Sequence, residues 1–162
     1  MALERRFFGS SLVEVIMFRH ILLPTDGSER SAKAIRMGVA LAKSGGTRVT
    51  GIHVLADFHL MIAYEGSFDP ATEAKIEQES RAKANEYLAA LQKIADDAGV
   101  PCETVCVTDD HPHESIIATA KERGCDLIVM SSHGRRGIVS LLLGSKTAKV
   151  LTHSDIPVLV VR

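Results

Sequence analysis

The chain of 162 residues has no tryptophan, two tyrosines and five phenylalanines. So sparse an aromatic set offers no platform on which single-stranded bases could stack. A charge surplus is also missing. Nineteen Lys and Arg face twenty Asp and Glu, a formal net charge of −1, so nothing draws the chain to a nucleic-acid backbone or an anionic membrane surface. No apolar run approaches the roughly 18 residues of a membrane span. Cysteine is scarce: Cys102, Cys106 and Cys125. On a strand the first two would share a face but stand roughly 13 Å apart, beyond disulfide reach. No CxxC pair suggests zinc. Three unpaired thiols suit a reducing compartment, and the expected location is cytoplasmic. Met1–Phe8 has basic residues but neither the apolar core nor the cleavage site of a signal peptide. Residues 1–16 are therefore expected to be an N-terminal extension, disordered or not native, before a domain spanning 17–162; a short N-terminal arm is the alternative.

What is present is a regular alternation. Ile21-Leu22-Leu23 runs into Pro24-Thr25-Asp26-Gly27, a loop signal. A helix to about Ser44 follows, capped by Ser28 or Asp26 and stopped by Gly45-Gly46. Residues 48–55 are β-rich, and 56–69 read as a long connection. From Pro70 to Ala98 the period is helical, with Ala84, Tyr87, Leu88, Leu91, Ile94, Ala95 and Ala98 on one face and a Glu79–Lys83 pair on the other. A strand over 102–108, a helix opening near Pro112 with Ile116, Ile117 and Ala120 inward, and a strand over 126–130 come next. A loop over 131–144, a helix over 145–153 and a strand over 157–161 complete the chain. Five strands alternating with four helices predict an α/β fold: a single open parallel sheet with helices on both faces. The continuous apolar strands agree, because such strands are buried on both sides.

In an open α/β sheet, ligands sit outside the carboxyl ends of the strands where the strand order reverses. The loops after the first and fourth strands hold the unusual residues: Pro24-Thr25-Asp26, and Ser131 to Gly134 with Gly144-Ser145-Lys146-Thr147 beyond. Glycines let backbone N–H groups approach a ligand, and a helix start adds donors and a positive dipole end. A phosphate fits such parts, with Lys146, Arg135 and Arg136 as counter-charge and the Ser145 and Thr147 hydroxyls as donors. Asp26 is suited to a ribose hydroxyl or a base amino group. Gly134 and Gly137 equally suit a plain turn, and Ser145 a plain helix cap. Two phosphate motifs are not matched: a residue too many separates Gly144 and Lys146 for a Walker A loop, and no GxGxxG follows the first strand.

Over Met17–Arg162 the chain resembles the universal stress proteins. The similarity lies in the opening His20-Ile21-Leu22-Leu23-Pro24-Thr25-Asp26-Gly27-Ser28 and the ending Ile156-Pro157-Val158-Leu159-Val160-Val161. It lies also in the G-x2-G-x9-G-[ST] pattern of that family's ATP-binding subgroup. Gly134, nine intervening residues and Gly144-Ser145 match it, with Ser131 at the first position. The resemblance implies a Rossmann-like sheet in the order 3-2-1-4-5, similar to the adenine nucleotide alpha hydrolases, with ATP between the loops after strands one and four and Mg2+ as a candidate companion. It implies that Pro24, Thr25 and Asp26 line the adenosine end and that Val54 contacts adenine through its backbone. Met130, Ser131, His133 and Gly134 would wrap ribose and phosphates, and Gly144, Ser145, Lys146 and Thr147 would hold the phosphates. A homodimer is implied as well.

No nucleophile–base pair is placed by the sequence, and a GxSxG setting is missing. A nucleotide-dependent regulatory module in stress response, with a regulatory protein as partner, is favoured over a slow ATPase and over a nucleotide-independent dimeric scaffold. The apolar last strand, on a sheet edge, invites pairing with a second copy. Asp109, Asp110, His111 and His113 read as a solvated helix cap rather than a metal site. His20 and His53 read as structural, and His133 is the candidate functional histidine.

Overall fold

The computed structural model describes residues 18–57, 69–133 and 143–162. The expected extension over 1–16, most of the 56–69 connection, and Gly134 with Arg135, Arg136 and Gly137 lie outside these residues. The elements follow as β1 (His20–Pro24), α1 (Glu29–Gly45), β2 (Arg48–Leu55), α2 (Pro70–Ala98) and β3 (Cys102–Thr108), then α3 (Pro112–Glu122), β4 (Leu127–Ser131), α4 (Ser145–His153) and β5 (Val158–Val161). All pair in parallel, in the order β3-β2-β1-β4-β5.

Side-chain alternation explains why β1 and β4 are apolar throughout. Ile21, Leu23, Leu127 and Val129 point to one face and pack with Ile35, Val39 and Leu91 of α1 and α2. Leu22, Ile128 and Met130 point to the other and pack with Ile116, Ile117 and Val150 of α3 and α4. Both strands are therefore central, each buried on two sides. The α2 stripe is buried at Ala84, Leu88, Leu91 and Ala95. Its surface ion pairs are Glu77–Arg81 and Lys93–Asp97, not Glu79–Lys83.

Boundaries move by one residue where side chains intervene. Asp126 precedes β4 rather than starting it, because its carboxylate is bound by the backbone N–H groups of Arg19 and His20 at 2.9–3.1 Å. The three cysteines are free thiols, and burial pushes Cys102 and Cys125 up to about 11.

His20 is structural. It is 3% exposed. Its Nδ1 lies 3.0 Å from the Arg123 carbonyl and its Nε2 2.7 Å from the Thr50 hydroxyl. A carbonyl only accepts, so Nδ1 carries the proton and Nε2 accepts from Thr50 in the neutral ring. Burial, then the Arg48 charge, lowers its pKa, against the opposing Arg123 carbonyl, Glu103 and Asp126. The folded protein therefore binds fewer protons here than the unfolded chain. Its contribution is complete above the unfolded value of 6.5 and is lost as pH falls through the lower folded value. Denaturant midpoints taken at pH 8 and at mildly acidic pH should fall on acidification in the wild type. The fall should be smaller in His20→Asn, which keeps a donor for Arg123 but cannot titrate. An equal fall in both would remove His20 as the cause.

Candidate functional site

β1 and β4 are neighbours, so the loops that leave their carboxyl ends face one crevice where the strand order reverses. On the first loop, Thr25 is buried and held at three points. Its N–H donates to the Ile52 carbonyl at 2.8 Å, its carbonyl accepts from His53 Nδ1 at 2.8 Å, and its hydroxyl lies 3.3 Å from that of Ser31. Asp26 is half-buried and accepts, through Oδ1, from the Ser28 N–H at 3.1 Å and the Ser28 hydroxyl at 2.6 Å. Ser28 Oγ in turn accepts from the Ser31 N–H and caps α1. Ser28 is thus the cap, and Asp26 braces it. Between them Gly27 takes φ +75°, a left-handed conformation that costs glycine little.

Val54 has a position that its residue type alone does not reveal. Backbone groups of a parallel strand face its two neighbours alternately. The Val49 N–H donates to the Pro101 carbonyl and the Leu55 carbonyl accepts from Asp109, so odd-numbered residues of β2 face β3. Ile52 faces β1, where Thr25 takes its carbonyl. The β1 ladder ends at Pro24↔Ile52, while β2 continues beside β3 to Leu55. The amide and carbonyl of Val54 therefore open toward the crevice, past the end of β1.

Across the crevice, Met130 is buried in the sheet, and the Ser131 hydroxyl donates to the His133 carbonyl at 2.8 Å. His133 Nδ1 lies 3.1 Å from Ser132 Oγ. Gly144 donates its N–H to the Ser132 carbonyl at 2.8 Å. A Cβ on Gly144 would stand 3.0 Å from that oxygen and 3.3 Å from His133 Cα. Glycine is favoured here by close approach of two backbones rather than by its own torsions, since φ −58° and ψ 143° suit any residue.

Gly144, not Ser145, occupies the capping position of α4, because the Ala148 N–H closes the first turn on the Gly144 carbonyl at 2.9 Å. Glycine has no side chain to cap that helix start, and among the described residues no other side chain is seen to do so. Ser145 and Lys146 are exposed on its first turn. Thr147 is 3% exposed and its hydroxyl donates inward to the Ser131 carbonyl at 2.9 Å. A hydroxyl has one proton, so Thr147 anchors α4 to β4, and the outward hydroxyl donor expected of it is not formed.

The acidic turn after β3 is also committed. Asp109 accepts from the Ser115 hydroxyl and from the His111 N–H, which lowers its pKa. Asp110 accepts from the Asp57 N–H at 2.9 Å, tying the ends of β2 and β3 together. No group of three metal-ligating side chains is clustered among the described residues.

A profile described as the universal stress protein family matches residues 17–162. The chain belongs to the universal stress protein family. Universal stress protein MJ0577 of Methanocaldococcus jannaschii is 30% identical over 161 residues, covering 91% of this chain and 96% of that one. Its solved structure aligns with a TM-score of 0.78 over 90% of this chain and 96% of that one. Two further family structures share the fold at lower identity. A universal stress protein in complex with cAMP is 23% identical, with a TM-score of 0.65, covering 90% of this chain and 97% of that one. One from Archaeoglobus fulgidus in complex with dAMP is 20% identical, with a TM-score of 0.66, covering 89% and 98%.

Two residues that brace the first loop are not singled out by a reading of the sequence: His53, bonded to the Thr25 carbonyl, and Tyr87, whose ring lies against Gly27. His53 sits in an apolar strand, and Tyr87 falls on the buried stripe of α2, so both look like core. The single signal is Asp26-Gly27, a turn that leaves room for a ring.

Proposed function

We propose that this universal stress protein binds ATP in the crevice between the loops after β1 and β4 and acts as a nucleotide-dependent regulatory module. The observation that carries the reading is the contact between Gly144 and the Ser132 backbone, which sets a helix start with a glycine at its capping position at the carboxyl end of β4. Such a start offers N–H donors and a positive dipole end to a phosphate. Pro24, Thr25, Asp26 and the Val54 backbone take the adenosine. Met130, Ser131, His133 and Gly134 lie along ribose and phosphates. Gly144, Ser145 and Lys146 hold the phosphates, with Thr147 lending position and its backbone N–H. Mg2+ accompanies the polyphosphate as counter-ion. Adenine nucleotides held by two proteins of this fold support the reading at the level of the fold.

Regulation follows if ATP has different affinities for two states of the protein, so that occupancy changes the surface a protein partner meets. The test is nucleotide released by heat from purified protein, followed by calorimetric titration with ATP, ADP, AMP and GTP in the presence of magnesium. ATP affinity in the micromolar range, with GTP much weaker, is the expected result. A folded protein that binds none of the four overturns the reading and leaves a partner-binding scaffold.

A second reading concerns assembly. Among the described residues β5 pairs with β4 alone, at the edge of the sheet, and Leu159 is 39% exposed. We infer that two copies pair through this edge.

A further inference from the structure

The loop after β1 is braced from α2, through Tyr87. A Cβ on Gly27 would stand 2.4, 2.4 and 2.6 Å from Cδ1, Cε1 and Cζ of Tyr87, so the tyrosine ring lies directly over the Gly27 backbone. The same ring meets His53 edge to face, with centroids 5.4 Å apart and planes at 67°. His53 Nδ1 lies 2.8 Å from the Thr25 carbonyl, which only accepts, so the proton is held on Nδ1. Thr25 and Gly27, the two residues that flank Asp26, are thus each held by one member of a touching aromatic pair. Gly27 further donates its N–H to the Thr25 hydroxyl at 3.2 Å, so the two holds are joined within the turn.

We propose that Tyr87, acting with His53, is a positioning residue for the adenosine end of the nucleotide site. The proposal rests on the nucleotide reading above. Tyr87 occupies the space that a side chain at residue 27 would need and stops the turn from relaxing toward α2. His53 sets how far the Thr25 carbonyl stands from β2, and with it the width of the gap between Asp26 and the Val54 backbone. Neither acts on the phosphates. Their loss should therefore weaken every adenine nucleotide by the same factor.

The test is calorimetric titration of wild type, Tyr87→Ala and Tyr87→Phe with ATP and AMP, with folding checked by thermal melting. Tyr87→Ala should lose about tenfold in affinity for both nucleotides, leaving the ATP-to-AMP ratio unchanged, while Tyr87→Phe, which keeps the ring, stays within about twofold of wild type. A merely structural role would lower the melting temperature and leave the affinity of the folded protein unaltered. His53→Ala and His53→Asn give an independent arm. Asparagine can still donate toward the Thr25 carbonyl, so it should restore what alanine loses. If wild type binds neither nucleotide, the underlying reading fails. If wild type binds but Tyr87→Ala matches it, or loses ATP far more than AMP, the positioning role is overturned. Should Tyr87→Ala not fold, His53→Ala decides the matter on the same terms: wild-type affinity, or a loss confined to ATP, overturns the role.

Discussion

Gly144→Val should bind ATP at least about a hundredfold more weakly than wild type while remaining folded. The backbone of Gly144 is extended, so valine meets no conformational penalty and the sheet keeps its core. The cost is local. A Cβ there would press on the Ser132 carbonyl at 3.0 Å and the His133 Cα at 3.3 Å, both backbone atoms rather than the far end of a flexible side chain. The start of α4 must move outward, lengthening the Gly144–Ser132 hydrogen bond and the Thr147–Ser131 bond that anchor it. Charge-assisted N–H bonds to phosphate depend steeply on distance and angle, so a shift of a few tenths of an ångström is costly. AMP, with one phosphate, should lose less than ATP. Titration of the variant beside a melting curve checks this. Unchanged ATP affinity in a folded Gly144→Val protein would place the phosphates elsewhere.

If two copies pair through β5 as proposed, Leu159→Lys should leave a monomer where the wild type is a dimer. The Pro157 and Val161 carbonyls accept from Ile128 and Ser132 of β4, so Val158 and Val160, one residue off, turn their amides to the open edge. Antiparallel pairing of two β5 strands that uses both amide pairs sets Val158 of one copy against Val160 of the other. Leu159 then stands opposite itself in a narrow, non-hydrogen-bonded pair, where Cα atoms approach to about 4.5 Å. Two leucines there bury apolar surface, and two lysines repel. The side chain is exposed in the single copy, so the substitution leaves the core intact. Light scattering of both proteins checks the outcome. A monomeric wild type, or a dimeric Leu159→Lys protein, removes the idea.

The order of elements can be read from the chain because its signals are local. Pro70 and Gly99 bracket α2, Pro112 opens α3, and unbroken apolar runs mark β1 and β4. Each is a propensity or a steric rule acting within a few residues. The candidate site is legible only in part. Gly144 and Asp26 stand out because glycine at a helix start and Asp-Gly in a turn are rare requirements. Their partners do not, because a hydrogen bond from His53 to the Thr25 carbonyl leaves no trace in residue type or spacing. The Thr147 hydroxyl misleads for the same reason. Its residue type suggests a donor to a ligand, but which way a hydroxyl points depends on the carbonyl that tertiary packing brings to it.

By itself the sequence determined the α/β class, the parallel sheet, the helix ends and the glycines near a helix start, since these depend on neighbours along the chain. Tertiary structure alone decided that β2 outruns β1 and opens Val54 to the crevice, that Tyr87 covers Gly27, and that Asp110 accepts from the Asp57 N–H at the end of β2. Those facts depend on strand register and on contacts between residues far apart in sequence, and such distances are set only when both faces of the sheet are packed.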